Sequence, residues 1–344
     1  MEGKIALEEH FSTELNNRLW DAKGEETRNG VTYTRDIERR LLDVKACLTE
    51  MDWSGIEMCV LSLTSPGVQG VADLGQALPL ARDANDYASS VIKAHPDRIA
   101  AFAAVPLQNP AAAADELERA VKELGLKGAL INSYSNLRSN ERVQYLDEEP
   151  VREFWHRVAA LGVPVYLHPR EPLPSQRRVL QGYPELVGSA WGFAYETSSH
   201  AVRLMLSGLF DEYHDIQIIL GHLGEGLPFM LSRLQHRIDE QRDGEKGAKC
   251  KHRPGHYFSN NFLITTSGHF HTKPLLEPIE QIGVDRVLFS VDYPYEQMDV
   301  AARWIDDIRL DNATKLKVRR TKAERLFSLK LSPFFETEVV SFAS

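Results

Sequence analysis

The sequence predicts an α/β fold, a (β/α)₈ TIM barrel formed by a single domain over residues 1–344. Two observations predict it. Short apolar or β-branched runs recur along the chain, each followed by a stretch with helical spacing, which is the mark of a parallel sheet with helical crossovers. The runs number eight, and eight such units close into a barrel.

In chain order the runs cover residues 4–10, 56–63, 99–105, 128–133, 163–168, 216–221, 262–266 and 287–291. The helical stretches between them are clearest at 111–124 and 151–161, where apolar residues fall three and four positions apart, as a helix packing on a sheet requires. Asn109 and Pro110 supply a cap and a first-turn proline. Gly125 and Gly162 fall just past helix ends. Residues 11–35, 169–193 and 241–255 read as loops inserted into the barrel rather than as linkers between domains, and an extra C-terminal helix is expected after the eighth unit.

With 43% hydrophobic and 26% charged residues, the chain has the composition of an ordinary globular protein. Its net charge of −9 gives no electrostatic reason to hold a polyanion, so no nucleic-acid partner is expected. The opening Lys4-Ile5-Ala6-Leu7-Glu8 lacks the pattern of a signal peptide, and no run approaches the roughly 20 apolar residues of a membrane helix. A cytoplasmic location without membrane partners is the expectation. Cys47, Cys59 and Cys250 are odd in number and widely spaced, so they read as reduced packing residues rather than disulfides or a zinc site.

Barrel enzymes build their sites at the C-terminal ends of the strands. In the first run Ile5 and Leu7 share one face and Ala6, Glu8 and His10 the other, which turns Glu8 and His10 inward. The fifth run ends at His168, the sixth leads into His222, and the eighth into Asp292. Glu8, His10, His168, His222 and Asp292 therefore meet at one rim. Imidazoles and carboxylates converging there suit a divalent metal such as Zn²⁺, Mn²⁺ or Fe²⁺. Taken singly, a strand-end histidine is more often a structural group and a carboxylate there can cap the next helix. The joint pattern from separate strands favours the metal.

Several motifs carry a resemblance: Ala6-Leu7-Glu8-Glu9-His10-Phe11, Leu61-Ser62-Leu63-Thr64-Ser65-Pro66-Gly67-Val68-Gln69, Tyr166-Leu167-His168-Pro169-Arg170, Gly221-His222-Leu223-Gly224-Glu225, and Phe289-Ser290-Val291-Asp292-Tyr293-Pro294-Tyr295-Glu296. Over residues 2–329 the chain resembles the γ-resorcylate (2,6-dihydroxybenzoate) decarboxylases of the amidohydrolase superfamily. Their relatives act on 2,3-dihydroxybenzoate, salicylate and aminocarboxymuconate semialdehyde. The resemblance implies a metal-dependent, non-oxidative carboxy-lyase of aromatic compound catabolism without an organic cofactor. It implies one divalent ion, Zn²⁺ or Mn²⁺ with Mg²⁺ also compatible, on Glu8, His10, His168 and Asp292. It further implies a catalytic pair, His222 and Glu225, and a small aromatic acid bound by Asn132, Tyr295 and an Arg233 reaching across a subunit interface. The implied assembly is a dimer or a homotetramer.

The chain departs from hydrolytic members of the superfamily, which usually open with His-x-His where this one has Glu8-x-His10. No lysine ends the fourth run, so a binuclear hydrolase bridged by a carbamylated lysine is not expected. Several 2,3-dihydroxybenzoate and salicylate enzymes carry Ala in place of His10, which favours 2,6-dihydroxybenzoate here. The alternatives are those two substrates, a mononuclear lactone or amide hydrolase, and a catalytically silent scaffold. Arg39-Arg40, Arg177-Arg178 and Arg319-Arg320 read as solvated or interface pairs. His269 and His271 read as pocket or surface-loop histidines, and Trp191 and Phe193 as covers for a ligand or for the fifth loop.

Overall fold

A computed structural model describes residues 3–19, 22–241, 247–329 and 331. All eight predicted strands are present. They are β1 (Lys4–Phe11), β2 (Ile56–Leu63), β3 (Ile99–Ala101), β4 (Ala129–Asn132), β5 (Val165–His168), β6 (Ile218–Leu220), β7 (Phe262–Thr265) and β8 (Val287–Leu288). Every neighbouring pair from β1 to β3 and from β4 to β8 is parallel, and a bridge between Ala103 and Ala129 joins the two groups. The chain is thus a (β/α)₈ barrel with helices outside.

Two apolar layers follow from the period-two alternation of strand side chains. Residues such as Cys59, Ala101, Ile131, Leu167, Leu220 and Ile264 face the helices. Ile5, Leu7, Met58, Val60, Phe102, Leu130, Tyr166, Ile219, Leu263 and Leu288 fill the interior. Ala323 and Phe327, on the expected C-terminal helix Lys322–Phe327, close the interior from below.

This layering corrects the phase read for the first strand. Ile5 and Leu7 point into the barrel and Ala6 points out. Between Ala6 and Glu9 the strand advances three residues while β2 advances two, from Cys59 to Leu61. The slip is a β-bulge, and such bulges re-aim side chains next to active sites. After it Glu8 and His10 face the rim while Phe11 joins the outer layer.

The inserted segments are more ordered than expected. Within residues 11–35 lie the 3₁₀ turn Asn16–Leu19, the helix Ala22–Asn29 and the start of the helix Val31–Leu41. The helix Ala22–Asn29 is almost wholly polar and carries no apolar periodicity; Arg28 ties it down through Glu25 (2.6 Å) and Glu171 (2.6 Å). Residues 169–193 contain the 3₁₀ turns Pro174–Leu180 and Pro184–Leu186. Of residues 241–255, those numbered 242–246 lie outside the described residues. An antiparallel hairpin, Ser135–Leu137 with Ser139–Gln144, was not anticipated. Asn109 accepts the Ala112 amide at 3.1 Å and Gly162 ends its helix at φ 62°, as the caps predict.

Arg319 and Arg320 are not solvated. Both are buried beneath the barrel, where Arg320 pairs with Glu57 and with Glu324 (2.7 Å). No helix among the described residues is long and apolar enough to cross a membrane.

Beside β4, Ser133 pairs with Glu196 and with His200 Nδ1 (3.2 Å), and His200 Nε2 accepts the Leu146 amide (2.9 Å). That acceptor role fixes His200 as neutral, and burial followed by the nearby Arg203 lowers its pKa to about 3. Because the unfolded chain binds this proton below about 6.5, the group withdraws stability as pH falls from there toward 3, by up to ~1.4 kcal/mol per unit. Glu196, raised to about 7 by burial, acts in the opposite sense and loses stability as pH rises through that value. We expect urea midpoints of His200→Gln to fall less than those of the parent between pH 7 and 5. Parallel slopes would exclude His200 as the acid-sensitive group.

Candidate active site

One cluster among the described residues can hold a metal: the donor atoms of Glu8, His10, His168 and Asp292 all lie within 4.8 Å of one another. His10 Nε2 is 3.2 Å from Asp292 Oδ1, and His168 Nε2 is 3.2 Å from Glu8 Oε1. Glu8 Oε1 and His10 Nε2 are buried without a hydrogen-bond partner, although buried polar atoms are nearly always satisfied. These two unpartnered atoms, with a second imidazole and a second carboxylate in the same cluster, fit a divalent ion.

Each ligand is oriented from behind, as ligands generally are. Ser62 Oγ pairs with His10 Nδ1 (3.1 Å) and Asn132 Oδ1 with His168 Nδ1 (2.8 Å), leaving both Nε2 atoms for the centre. Asn132 is placed for this by the ladder, in which it lies opposite His168. Glu8 Oε2 accepts from the Tyr166 hydroxyl, from Ser267 Oγ and from Thr265 Oγ1 (3.4 Å), which satisfies that one oxygen of a carboxylate with no exposed surface. A Cβ on Gly221 would stand 2.5 Å from Glu8 Oε2, so only glycine fits there. Tyr166→Phe keeps the ring but removes a clamp on Glu8, and should weaken Mn²⁺ binding about 10- to 100-fold in a titration. Unchanged affinity would make the hydroxyl dispensable.

His222 stands beside the cluster. Residues 222–226 all have positive φ, a left-handed turn costing roughly 1–2 kcal/mol for each non-glycine residue. The turn brings Glu225 Oε1 within 2.7 Å of His222 Nδ1 and leaves His222 Nε2 3.5 Å from Asp292 Oδ2. Burial opposes charging of His222, but Glu225, Glu8 and Asp292 outweigh it and raise its pKa well above the ordinary value. Burial also opposes ionisation of Asp292 and Glu8; for Asp292 the flanking His10 and His222 prevail, for Glu8 His222 and His168, and both carboxyls are held low. Burial lowers His168. Neighbouring Glu9 is raised by burial, while the Val291 and Tyr293 amides pull it back.

Above the cluster opens a cavity of ≈ 820 Å³. His168, His222, Gly268, Asp292 and Tyr295 form its wall beside the cluster, and Tyr134, Asn136, Arg170 and Phe193 line it as well. The side chains of His222 and Asp292 are 21% and 14% exposed and those of Glu8 and His10 fully buried, so a ligand meets the first two. Tyr295 lines the wall with its hydroxyl on Thr64 Oγ1 (2.6 Å). Asn132 is turned to His168 and is not a wall residue. Arg233 is exposed on the helix Leu227–Asp239, outside the wall of its own chain. His269 and His271 meet edge to face, with ring centroids 5.7 Å apart, and are not wall residues; Trp191 is exposed. Ser62, Tyr166, Thr265 and Ser267 were not singled out from the sequence as supports; their signal was a polar residue on an inward strand position or just past a strand end.

A family model for amidohydrolases matches residues 61–329. A γ-resorcylate decarboxylase of Rhizobium sp. is 45% identical over 330 residues, covering 96% of this chain and 99% of that protein. A 2,6-dihydroxybenzoate decarboxylase solved with 2,6-dihydroxybenzoate superposes with a TM-score of 0.89 at 44% identity, covering 96% and 99% of the two chains. A dihydroxybenzoic acid decarboxylase from a Polaromonas species, solved with manganese and the inhibitor 2-nitroresorcinol, gives 0.90 at 44% identity, covering 96% and 98%.

Proposed function

The chain belongs to the amidohydrolase family and is a metal-dependent hydroxybenzoate decarboxylase, and we propose that its substrate is 2,6-dihydroxybenzoate, released as resorcinol and CO₂. The observation that carries this reading is the pair of orphaned donors, Glu8 Oε1 and His10 Nε2, beneath a cavity whose wall presents Asp292 and His222. Glu8, His10, His168 and Asp292 are the residues that would hold the ion. Manganese in the Polaromonas relative favours Mn²⁺, with Zn²⁺ and Mg²⁺ as alternatives.

Direct loss of CO₂ from a benzoate would leave an aryl anion in an in-plane orbital that the ring cannot delocalise. Protonation at C1 therefore comes first. An ortho phenolate makes C1 basic enough to accept a proton, and CO₂ leaves as the ring regains aromaticity. A divalent ion, when bound, supplies charge neutralisation for the substrate's phenolate and carboxylate oxygens. Asp292 is assigned the proton delivery to C1; because His10 and His222 hold its carboxyl low, that proton has to reach it from a neighbouring acid. His222, held by Glu225 and 3.5 Å from Asp292 Oδ2, is assigned as the relay that supplies that proton, with direct donation from His222 to C1 as the alternative. Tyr295 flanks the ring, while Asn132 acts through His168 rather than on the substrate.

Arg233 is assigned to a neighbouring subunit's cavity, in a dimer or tetramer. Its exposed helix also carries Phe229 and Met230, 81% and 49% exposed, an apolar surface suited to a partner copy. A cytoplasmic setting fits the three free cysteines.

Ultraviolet-monitored turnover of 2,6-dihydroxybenzoate, 2,3-dihydroxybenzoate and salicylate tests the assignment. We expect 2,6-dihydroxybenzoate to give resorcinol, with activity lost after chelation and restored by Mn²⁺. Preference for another acid would reassign the substrate; silence on all three with metal bound would move the reading to a lactone or amide hydrolase.

A further inference from the structure

Glu9 lies between two candidate ligands in the sequence but faces away from the cluster. The barrel has a seam there, because β1 and β8 are not joined in a strand ladder. The seam is bridged instead by individual bonds. Glu9 Oε1 accepts the Val291 amide and Oε2 the Tyr293 amide, both at 2.9 Å, and Ser290 Oγ lies 3.3 Å from Oε1. The Glu8 amide donates to Ser290 Oγ (2.6 Å), and the His10 amide to the Tyr293 carbonyl (2.6 Å).

The two amides that Glu9 holds flank Asp292 on either side. Asp292 has φ 84°, a left-handed conformation that a non-glycine residue adopts only when its surroundings impose it. That conformation sets Oδ1 on His10 Nε2 (3.2 Å) and Oδ2 toward His222 Nε2 (3.5 Å). Glu9 also reaches the other ligand of its strand, since its carbonyl accepts from Ser62 Oγ (3.4 Å), the hydroxyl paired with His10 Nδ1.

We infer that Glu9 is a positioning residue, a carboxylate bracket that replaces the missing ladder at the barrel seam and holds Asp292 in its working orientation. Glu9 touches neither the ion's ligand atoms nor the cavity, so its effect passes through Asp292. An amide cannot reproduce the bracket, because Gln offers one acceptor oxygen and would turn an NH₂ group against a backbone N–H.

The test uses Glu9→Gln in the full-length protein. We expect kcat for the decarboxylation substrate to fall about 10- to 100-fold with KM within about threefold, and Mn²⁺ affinity to fall about tenfold. The electron paramagnetic resonance line shape of bound Mn²⁺ should change as well, a readout that a general loss of stability does not move. Parent-like kcat, Mn²⁺ affinity and line shape in folded Glu9→Gln would overturn the inference. Hydrogen exchange on the unsubstituted protein decides it if the variant does not fold. Val291 and Tyr293 amides should exchange as slowly as ladder amides of β7, and exchange at loop rates would refute the bracket. Because Mn²⁺ binding and amide exchange need no substrate, failure of the substrate assignment is distinguishable from failure of this one.

Discussion

Asp292→Asn is expected to lower kcat about 10⁴-fold, the upper end of what a general acid contributes, and to weaken metal binding as well. The substitution removes two things together: the proton assigned to C1, and the negative charge facing both His10 Nε2 and His222 Nε2. Asn is nearly isosteric and is among the few residues that tolerate a left-handed backbone, so φ 84° is retained and the fold with it. Single-turnover kinetics, metal content and circular dichroism together check the prediction. A folded variant with near-normal kcat would remove Asp292 from the chemistry.

His222→Ala should cost about 10³-fold in kcat by a different signature. His222 is outside the four-residue ligand cluster, so the variant keeps the parent's Mn²⁺ affinity where Asp292→Asn binds the ion more weakly. Two side effects need separating from the catalytic one. Ala at φ 50° is strained, and truncation leaves the buried Glu225 carboxylate without its 2.7 Å partner. His222→Asn relieves the strain while still lacking the imidazole, so equal loss in both variants assigns the effect to the ring. Should Asp292→Asn be inactive and His222→Ala near-normal, Asp292 draws its proton from water and the relay is wrong.

The strands were legible because β-branched runs of four to eight residues alternating with helical spacing leave few other folds. The ligands were legible for a related reason: Glu8, His10, His168 and Asp292 are polar residues at or just past strand ends. What alternation could not reveal was the one-residue slip between Ala6 and Glu9, since a bulge is set by the pairing of β1 with β2 rather than by either strand alone. The supports of Glu8 were hidden similarly: Ser267 lies 259 positions away in the chain. Arg319 and Arg320 were misread because a pair of arginines is nearly always solvated, and only the helix folding under the barrel buries them. The helix Val31–Leu41 carries a signal of its own in the sequence, since its buried Thr34, Ile37 and Leu41 keep a three- and four-residue spacing.

The helix that closes the barrel from below also dictates when this protein can become dry inside. Phe327 packs in the same interior cluster as Ile5 and Leu7, and the Glu8 amide is held by Ser290, 282 positions away. During synthesis the first strand can meet Met58 and Val60 early, but its interior face is fully covered only after more than three hundred further residues have left the ribosome. Early βα units of the nascent chain therefore lack the last members of that interior cluster, Leu288, Ala323 and Phe327, until the end of the chain has emerged.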